Sequence, residues 1–149
     1  MLSMLCLKQF FIRNPKNQIY MTEQLALVRD FQIKFEQTLN DKPTFVSEDE
    51  YALRYELMKE ENKEYFMANE NMDMVEILDA LADKLYILLG TINAHGLQDL
   101  IIPAFNLVHE NNLRKLGPDG KVIKNEFGKV IKPEGFQKVE LSTLFENLK

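Results

Sequence analysis

The sequence predicts an all-α protein, a bundle of four to five helices with a short β-hairpin in its C-terminal tail. Apolar residues make up 46% of the chain and recur at helical spacing in successive segments. Only 6 Gly and 5 Pro occur among 149 residues, which disfavours a fold built from many tight turns. The length and the charged content of 28% are typical of one globular domain.

The first predicted helix follows Thr22, which is a plausible N-cap, and continues to Leu39. Its apolar positions lie at helical spacing: Val28, Phe31, Phe35 and Leu39. The turn residues and the proline of NDKPTF, residues 40–45, interrupt it.

The second helix is predicted to open with the capping box S-x-x-E formed by Ser47 and Glu50, and to run to about Asn71. The third is predicted over residues 74–94, with a stop near Gly96.

A fourth helix is predicted over residues 99–116, where Pro103 falls in the first turn and GPDG ends the helix. Beyond it, GKVIK occurs twice, at residues 120–124 and 128–132. The paired Val-Ile steps with a glycine at the join predict a small β-hairpin.

Residues 1–20 are predicted to form an N-terminal arm, followed by a single domain over residues 21–149. Translation starting at Met21 is the alternative. Lys8 breaks the apolar run of the arm, so a signal peptide is not expected, and no stretch approaches the roughly 18 apolar residues of a membrane span. The single cysteine, Cys6, fits a reducing environment, so we expect a cytoplasmic protein with no membrane partner.

Charge is distributed unevenly along the chain. Residues 44–83 contain 3 basic and 12 acidic residues, whereas residues 114–149 contain 8 basic and 5 acidic residues. An acidic centre argues against a nucleic-acid polymer as partner. The same arrangement suits a cation held by acids, with an anionic ligand bound by lysines.

Carboxylates lie on the apolar face of the second predicted helix, which is apolar in its first turns and acidic further along, and they form a similar stripe on the third. At 100° per residue, Leu53, Leu57, Glu60 and Glu64 fall within about 60° of arc, with Glu61 beside them. In the third helix, the stripe consists of Glu76, Asp79 and Asp83. Leucines cover much of the remaining circumference of the third helix, which predicts that it is buried: Leu78, Leu81, Leu85 and Leu88.

Two explanations of these acids remain open. They form a solvated face paired with Lys59, Lys63 and Lys84, or they hold a divalent cation. All-oxygen ligands select hard ions such as Mg²⁺ or Mn²⁺. The Glu-x-x-His motif of di-iron bundles is absent, one Cys and two His do not suit zinc, and no P-loop occurs. His95, near a helix end, is interpreted as a capping or packing residue.

The motif EENKE at residues 60–64, followed by EILDALADKLY at residues 76–86, resembles the all-α nucleoside triphosphate pyrophosphohydrolases, the superfamily of MazG, phosphoribosyl-ATP pyrophosphatase and the dimeric dUTPases. The stretches AFNLVHENNLRKLGPDGK and GKVIKPEGF are similar to its phosphoribosyl-ATP pyrophosphatase-like branch. The resemblance implies Mg²⁺ held between the second and third helices and assembly into a homodimer or homotetramer.

The resemblance also assigns residues. The family's acidic positions match Glu60, Glu61, Glu64 and Asp83, and its N-x-x-K and G-K-V-x-K motifs match Asn112, Lys115, Lys129 and Lys132. Ala80 stands where the family's E-x-x-D motif has Glu. Either Asp79 replaces that ligand, or Glu76 and Asp79 are the working pair.

The function expected is hydrolysis of a nucleoside triphosphate between its α and β phosphates. Glu60 or Glu61 would hold or deprotonate the attacking water. The metal ligands would be drawn from Glu61, Glu64, Asp79, Asp83 and Glu76, and the tail lysines with Asn112 would bind the phosphates. The alternative is a non-catalytic helical protein whose acidic groove binds a basic partner.

Overall fold

The computed structural model of the chain describes residues 21–117 and 119–146, and within them it contains no strand and five helices. These are α1 (Met21–Lys34), α2 (Glu48–Glu70), α3 (Met74–Ala94), α4 (Ile101–Leu113) and α5 (Thr143–Glu146). The all-α prediction is confirmed. The arm predicted for residues 1–20 lies outside the described residues.

Helix α1 is shorter than predicted. It ends at Lys34 rather than near Leu39, and Thr22 lies inside the helix rather than at its N-cap. The reason is a Schellman motif at the C-terminus. Glu36 adopts a left-handed backbone conformation (φ 53°), and the Gln37 N–H donates to a carbonyl five residues earlier at 2.8 Å.

Helix α2 has the predicted boundaries, but its capping box is only half formed. The Ser47 hydroxyl accepts a hydrogen bond from the Glu50 N–H (3.3 Å). The Glu50 carboxylate makes no hydrogen bond to the Ser47 N–H, and instead accepts hydrogen bonds from the side chains of Thr38 and Arg54. At the other end, Met72 takes the left-handed conformation (φ 54°) of a second Schellman motif.

Helix α3 packs against both α1 and α2, and the apolar core lies at its C-terminal half. That core is Leu25, Val28, Leu89 and Ile92, with Met21, Leu97 and Ile101 packed against it. Two fully buried amides tie α1 to α3. The Asn93 amide donates to the Gln32 side-chain oxygen (3.0 Å), and the Gln32 amide donates to the Gly90 carbonyl (3.0 Å).

Much of the surface of α3 is exposed within one chain, although Ala80 is buried, so the prediction of a buried third helix is wrong for the single molecule. The four leucines predicted to cover its circumference are between 44% and 69% exposed: Leu78, Leu81, Leu85 and Leu88. The acids lie in the N-terminal half of the helix, and its core residues, Leu89 and Ile92, lie in the C-terminal half.

His95 is the C-cap residue of α3, and its backbone N–H donates to the carbonyls of Asn93 and Thr91. Its Nδ1 lies 3.1 Å from the carbonyl oxygen of Thr44, in the loop before α2.

Helix α4 is shorter than predicted at both ends, with Pro103 in its first turn as expected. The predicted β-hairpin is not supported, because the described tail contains only two isolated antiparallel bridges, Leu116 with Val122 and Lys124 with Val130. The turn between the Val-Ile pairs does form, since Asn125 accepts the Lys129 N–H with its side-chain oxygen (2.9 Å). Without an apolar face packed on the core, so short a pairing does not extend into strands.

Among the described residues, no helix combines the length and apolar content needed to cross a membrane.

Candidate active site

Helices α2 and α3 are joined by a short turn and pack side by side, with residues spaced by seven along their shared seam. Seven residues are nearly two helical turns, so such positions return to the same face. The buried residues of α2 are Arg54, Glu61 and Ala68. On α3, Gly90 lies against Arg54, and counting back from it by sevens gives Asp83 and Glu76 on the same face; both are exposed.

One close approach and one shared cavity support this alignment. A Cβ atom placed on Gly90 would lie 3.3 Å from Nη1 of Arg54, so the missing side chain makes room for the guanidinium. Ala68 and Glu76 border the same cavity at the opposite end. This alignment pairs Glu61 with Asp83, and Asp83 lies near enough to Glu61 to raise its pKa.

Glu61 is the buried carboxylate of this seam, with only 8% of the residue exposed. Its Oε2 atom is buried and has no hydrogen-bond partner. Burial raises the pKa of Glu61, and four neighbouring carboxylates raise it further: Glu64, Asp83, Glu60 and Asp79. A buried carboxylate surrounded by like charges is unfavourable unless a cation or a proton neutralises it.

The four neighbours of Glu61 are exposed, so the structure brings five predicted acids together but differs from the predicted stripe. The stripe centred on Glu60 and Glu64, with Glu61 beside it. Packing of α3 against α2 instead turns Glu61 into the seam and leaves Leu53 exposed.

The lysines proposed to neutralise these acids do not do so within residues 21–117 and 119–146. Lys59 forms its ion pair with Glu56 (2.9 Å), and Lys84 donates to the Asn62 side-chain oxygen. No ion pair engages Lys63 in that part of the chain. These lysines therefore form no ion pair with the acidic cluster in that part of the chain.

The placement of these side chains does not form a finished metal site. In the described ranges, no three Asp, Glu, His or Cys side chains stand close enough together to hold one ion. The exposed carboxylates are free to change rotamer, and the donor set is entirely oxygen. This chemistry, with the unpartnered Oε2 of Glu61, fits a hard divalent cation.

An open cavity of about 460 Å³ borders the cluster on one side of α2, and we call it the α2 groove. Its lining includes Glu60, Lys63, Glu64, Met67, Asn71 and Glu76. Glu76 thus lies with the groove and is not among the acids that raise the pKa of Glu61. Asp79 and Asp83 are the acids of α3 that raise the pKa of Glu61.

The sequence matches the family described as phosphoribosyl-ATP pyrophosphohydrolase (PRA-PH) over residues 28–112, more than half of the chain. The chain belongs to this family. A comparison with curated proteins gave no match. Family membership indicates a hydrolase, a pyrophosphohydrolase acting on a nucleoside triphosphate.

The part matched to the phosphoribosyl-ATP pyrophosphohydrolase family includes the whole α2–α3 pair and every acid of the cluster. Ala80, the departure from the E-x-x-D motif, is 2% exposed. Asp79 is exposed one position earlier and near enough to Glu61 to raise its pKa. Consecutive helical residues lie about 100° apart, so the exposed Asp79 side chain does not occupy the buried position of Ala80.

The tail residues expected to bind phosphate lie at or beyond the end of the matched range. Lys115 donates to the Asn112 side-chain oxygen (2.6 Å), and the Lys132 ammonium lies 5.5 Å from the Phe136 ring centroid. The backbone of Lys129 donates its N–H to the Asn125 side-chain oxygen and accepts the Asn125 N–H with its carbonyl oxygen. Within the described residues, no ion pair joins these lysines to the acidic cluster.

Sequence reasoning missed Arg54, whose side chain is 7% exposed and forms an ion pair with Glu50 at 2.7 Å. Burial alone would raise the pKa of Glu50, but hydrogen bonds from Thr38 and Arg54 outweigh it and lower that pKa. The available signal was Gly90, a lone glycine within an apolar helix, which indicates close approach of another group.

Proposed function

We propose that this member of the phosphoribosyl-ATP pyrophosphohydrolase family hydrolyses a nucleoside triphosphate between the α and β phosphates, in a reaction that depends on Mg²⁺ or Mn²⁺. The products are a nucleoside monophosphate and pyrophosphate. The observation that carries the proposal is the burial of Glu61, with an unpartnered oxygen, among four further carboxylates.

The residues that would hold the cation are Glu61, Glu64, Asp79 and Asp83. Bound there, a divalent cation would neutralise charge on the phosphate oxygens. Its binding would also offset the burial, and the repulsion from neighbouring carboxylates, that raise the pKa of Glu61. Glu76 is the weakest ligand candidate, because it lies with the α2 groove rather than with the neighbours of Glu61.

Glu60 is the carboxylate best suited to position the attacking water. It is exposed, borders the α2 groove and has no ion pair within the described part of the chain. Glu61 is the second candidate for this role, because a raised pKa makes a carboxylate a stronger base. Lys115, Lys129, Lys132 and Asn112 would bind the phosphates, with the lysine contacts strengthened by charge.

The direct test is magnesium-dependent release of pyrophosphate from a panel of ribo- and deoxyribonucleoside triphosphates. Glu64→Gln and Asp83→Asn should each lower kcat at least a hundredfold while leaving the far-ultraviolet circular dichroism unchanged. Glu70→Gln is the matched control, because Glu70 is an exposed acid of α2 outside the groove and the cluster. Calorimetric titration with Mg²⁺ should show binding to the wild type and to Glu70→Gln, and much weaker binding to Glu64→Gln.

Absence of pyrophosphate release with every nucleotide would contradict the proposed reaction. The missing motif carboxylate at Ala80 favours one alternative, an acidic groove that binds a basic partner without turnover. That alternative predicts that a lysine-rich peptide binds the wild type without magnesium and that no nucleotide is hydrolysed.

We also propose that two or more copies of the chain associate through the exposed leucines of α3, which carry large apolar surface. Light scattering at micromolar concentration should give a dimer or tetramer mass. Leu78→Glu and Leu85→Glu together should shift the protein towards monomer, and an unchanged mass would place the contact elsewhere.

A further inference from the structure

We propose that an open cavity in the C-terminal tail binds the base of the substrate, and that Phe136 stacks on that base. The cavity has a volume of about 320 Å³, and we call it the tail pocket. Its lining consists of the C-cap residue of α4 and five consecutive residues of the tail: Arg114, Pro133, Glu134, Gly135, Phe136 and Gln137. The inference rests on the proposed function for the position of the phosphates.

The position of the pocket is the first argument. Arg114 directly precedes Lys115, and Pro133 directly follows Lys132. Both lysines are proposed to bind the phosphates, so the pocket lies beside two phosphate-binding residues from separate parts of the chain. A nucleotide held by these lysines would therefore have its base within reach of the pocket, whose volume lies at the lower end of the usual range for small-molecule sites.

The second argument is the aromatic surface that Phe136 supplies. A tight turn folds this residue back towards Lys132, since the Phe136 N–H donates to the Pro133 carbonyl oxygen (3.1 Å) and Gly135 adopts a φ of 75°. The half-buried ring lies 5.5 Å, measured from its centroid, from the Lys132 ammonium. Every base has a π-face and stacks on such a ring. Transfer of the ammonium to a phosphate would leave that face of the ring to the base.

The charge of the lining favours the uncharged part of a nucleotide over its phosphates. Arg114 and Glu134 give the pocket one positive and one negative group, and in the part of the chain that the structure describes no ion pair engages either of them. The carboxylate repels phosphate, whereas the Gln137 amide both donates and accepts hydrogen bonds. The pocket therefore suits a neutral aromatic ring with polar edges, which is the chemistry of a nucleobase.

The first test separates binding of the base from binding of the phosphates. Calorimetric titration in Mg²⁺ should compare the α,β-methylene analogues of ATP and UTP, which cannot be cleaved at that bond, with inorganic tripolyphosphate. Phe136→Leu should raise the Kd of the nucleotide analogues about fivefold or more, the effect of one lost stack, and leave that of tripolyphosphate unchanged. Phe136→Tyr keeps the ring and should bind all three as the wild type does. Phe127→Leu is the matched control, because Phe127 is an aromatic residue of the same tail, 84% exposed and outside the pocket.

The second test uses the fact that the sequence contains no tryptophan. In Phe136→Trp, the nucleotide analogues should quench the tryptophan fluorescence, because a stacked base deactivates the excited indole, and tripolyphosphate should not. Phe127→Trp should respond to neither kind of ligand.

Three results would overturn the inference: no binding of either analogue to the wild type, equal affinity of Phe136→Leu and the wild type for both analogues, or an equal loss for the analogues and tripolyphosphate. The last result would make Phe136 a support for the Lys132 ammonium alone. Both tests measure binding, so they are independent of the proposed reaction. A protein that hydrolyses no nucleotide but shows the fivefold loss and the quenching would refute the reaction and keep the pocket, and the opposite pair of results would keep the reaction and refute the pocket.

Discussion

Replacement of Arg54 by Met should destabilise the fold more than a typical point substitution. Arg54 and Glu50 form an ion pair with side chains 7% and 13% exposed, and Glu50 also accepts a hydrogen bond from Thr38 at 2.6 Å. Breaking a buried pair by removing one partner costs about 3–5 kcal/mol, because the remaining charge loses its compensation. Since Glu50 would keep its bond to Thr38, we expect the lower end, about 3 kcal/mol.

For a domain of this length, a loss of about 3 kcal/mol corresponds to a fall in Tm of roughly 6–12 °C. Urea unfolding followed by circular dichroism should show a lower midpoint with an unchanged slope. The double variant Glu50→Gln/Arg54→Met removes both charges while leaving an acceptor for Thr38. It should return to within about 1 kcal/mol of the wild type, because replacing a buried pair entirely is often neutral.

The dependence of stability on pH tests whether the Glu50 charge causes the loss of stability in Arg54→Met. The pKa of Glu50 is lowered in the folded state, so its stabilisation is present above the usual carboxyl pKa and is lost as pH falls through the folded value. The difference in free energy of unfolding between the wild type and Arg54→Met should therefore become smaller at acidic pH. A single variant that loses less than 1 kcal/mol, or a double variant as unstable as the single one, would refute the reasoning from charge.

Four further outcomes are expected. The pKa of Glu61 is raised in the folded state, so its ionisation lowers the free energy of unfolding as pH rises through the folded value. In EDTA, Glu61→Gln should have a higher Tm than the wild type at pH 7 and the same Tm below about pH 4. The same Tm at both pH values would contradict this reasoning. Gly96→Ala should lower stability by at least 3 kcal/mol in urea unfolding, because a Cβ there would lie 2.0 Å from the Lys42 carbonyl oxygen at a φ of 67°. Met72→Gly should raise the free energy of unfolding by about 1 kcal/mol, since glycine removes the strain of the left-handed conformation, and a lower urea midpoint would argue against strain there. Truncation after Gly117 should raise KM far more than it lowers Tm, by an amount that shrinks as salt rises; normal turnover would leave the tail lysines without a role.

Sequence patterns predicted α2 and α3 well because their caps and apolar spacing agree with each other. The end of α1 was missed because Glu36 adopts a conformation that non-glycine residues disfavour, so local preference gave no signal for it. The β-hairpin predicted in the tail was wrong for a different reason. Its Val-Ile pairs have strand preference and a suitable turn, but the isolated bridges between them find no apolar surface to extend on.

For the candidate site, helical spacing predicted that these acids lie close together but did not identify the buried one. Glu61 lies about 80° from Leu53 on the helix circumference, and only packing against α3 decides which residue enters the seam. That packing depends on Gly90 admitting Arg54, a contact between positions 36 residues apart in sequence. Helical periodicity carries no information about such a contact.

The spacing of seven along α2 and α3 limits how the length of this helix pair can change. One residue inserted between Arg54 and Glu61 would rotate every later side chain of α2 by about 100°, which moves Glu61 out of the seam and into solvent. Seven residues inserted in α2, matched by seven in α3, would restore both faces. Insertions tolerated in this region are therefore expected in whole heptads and in both helices together, whereas the exposed turn after α2 accepts changes of any small size.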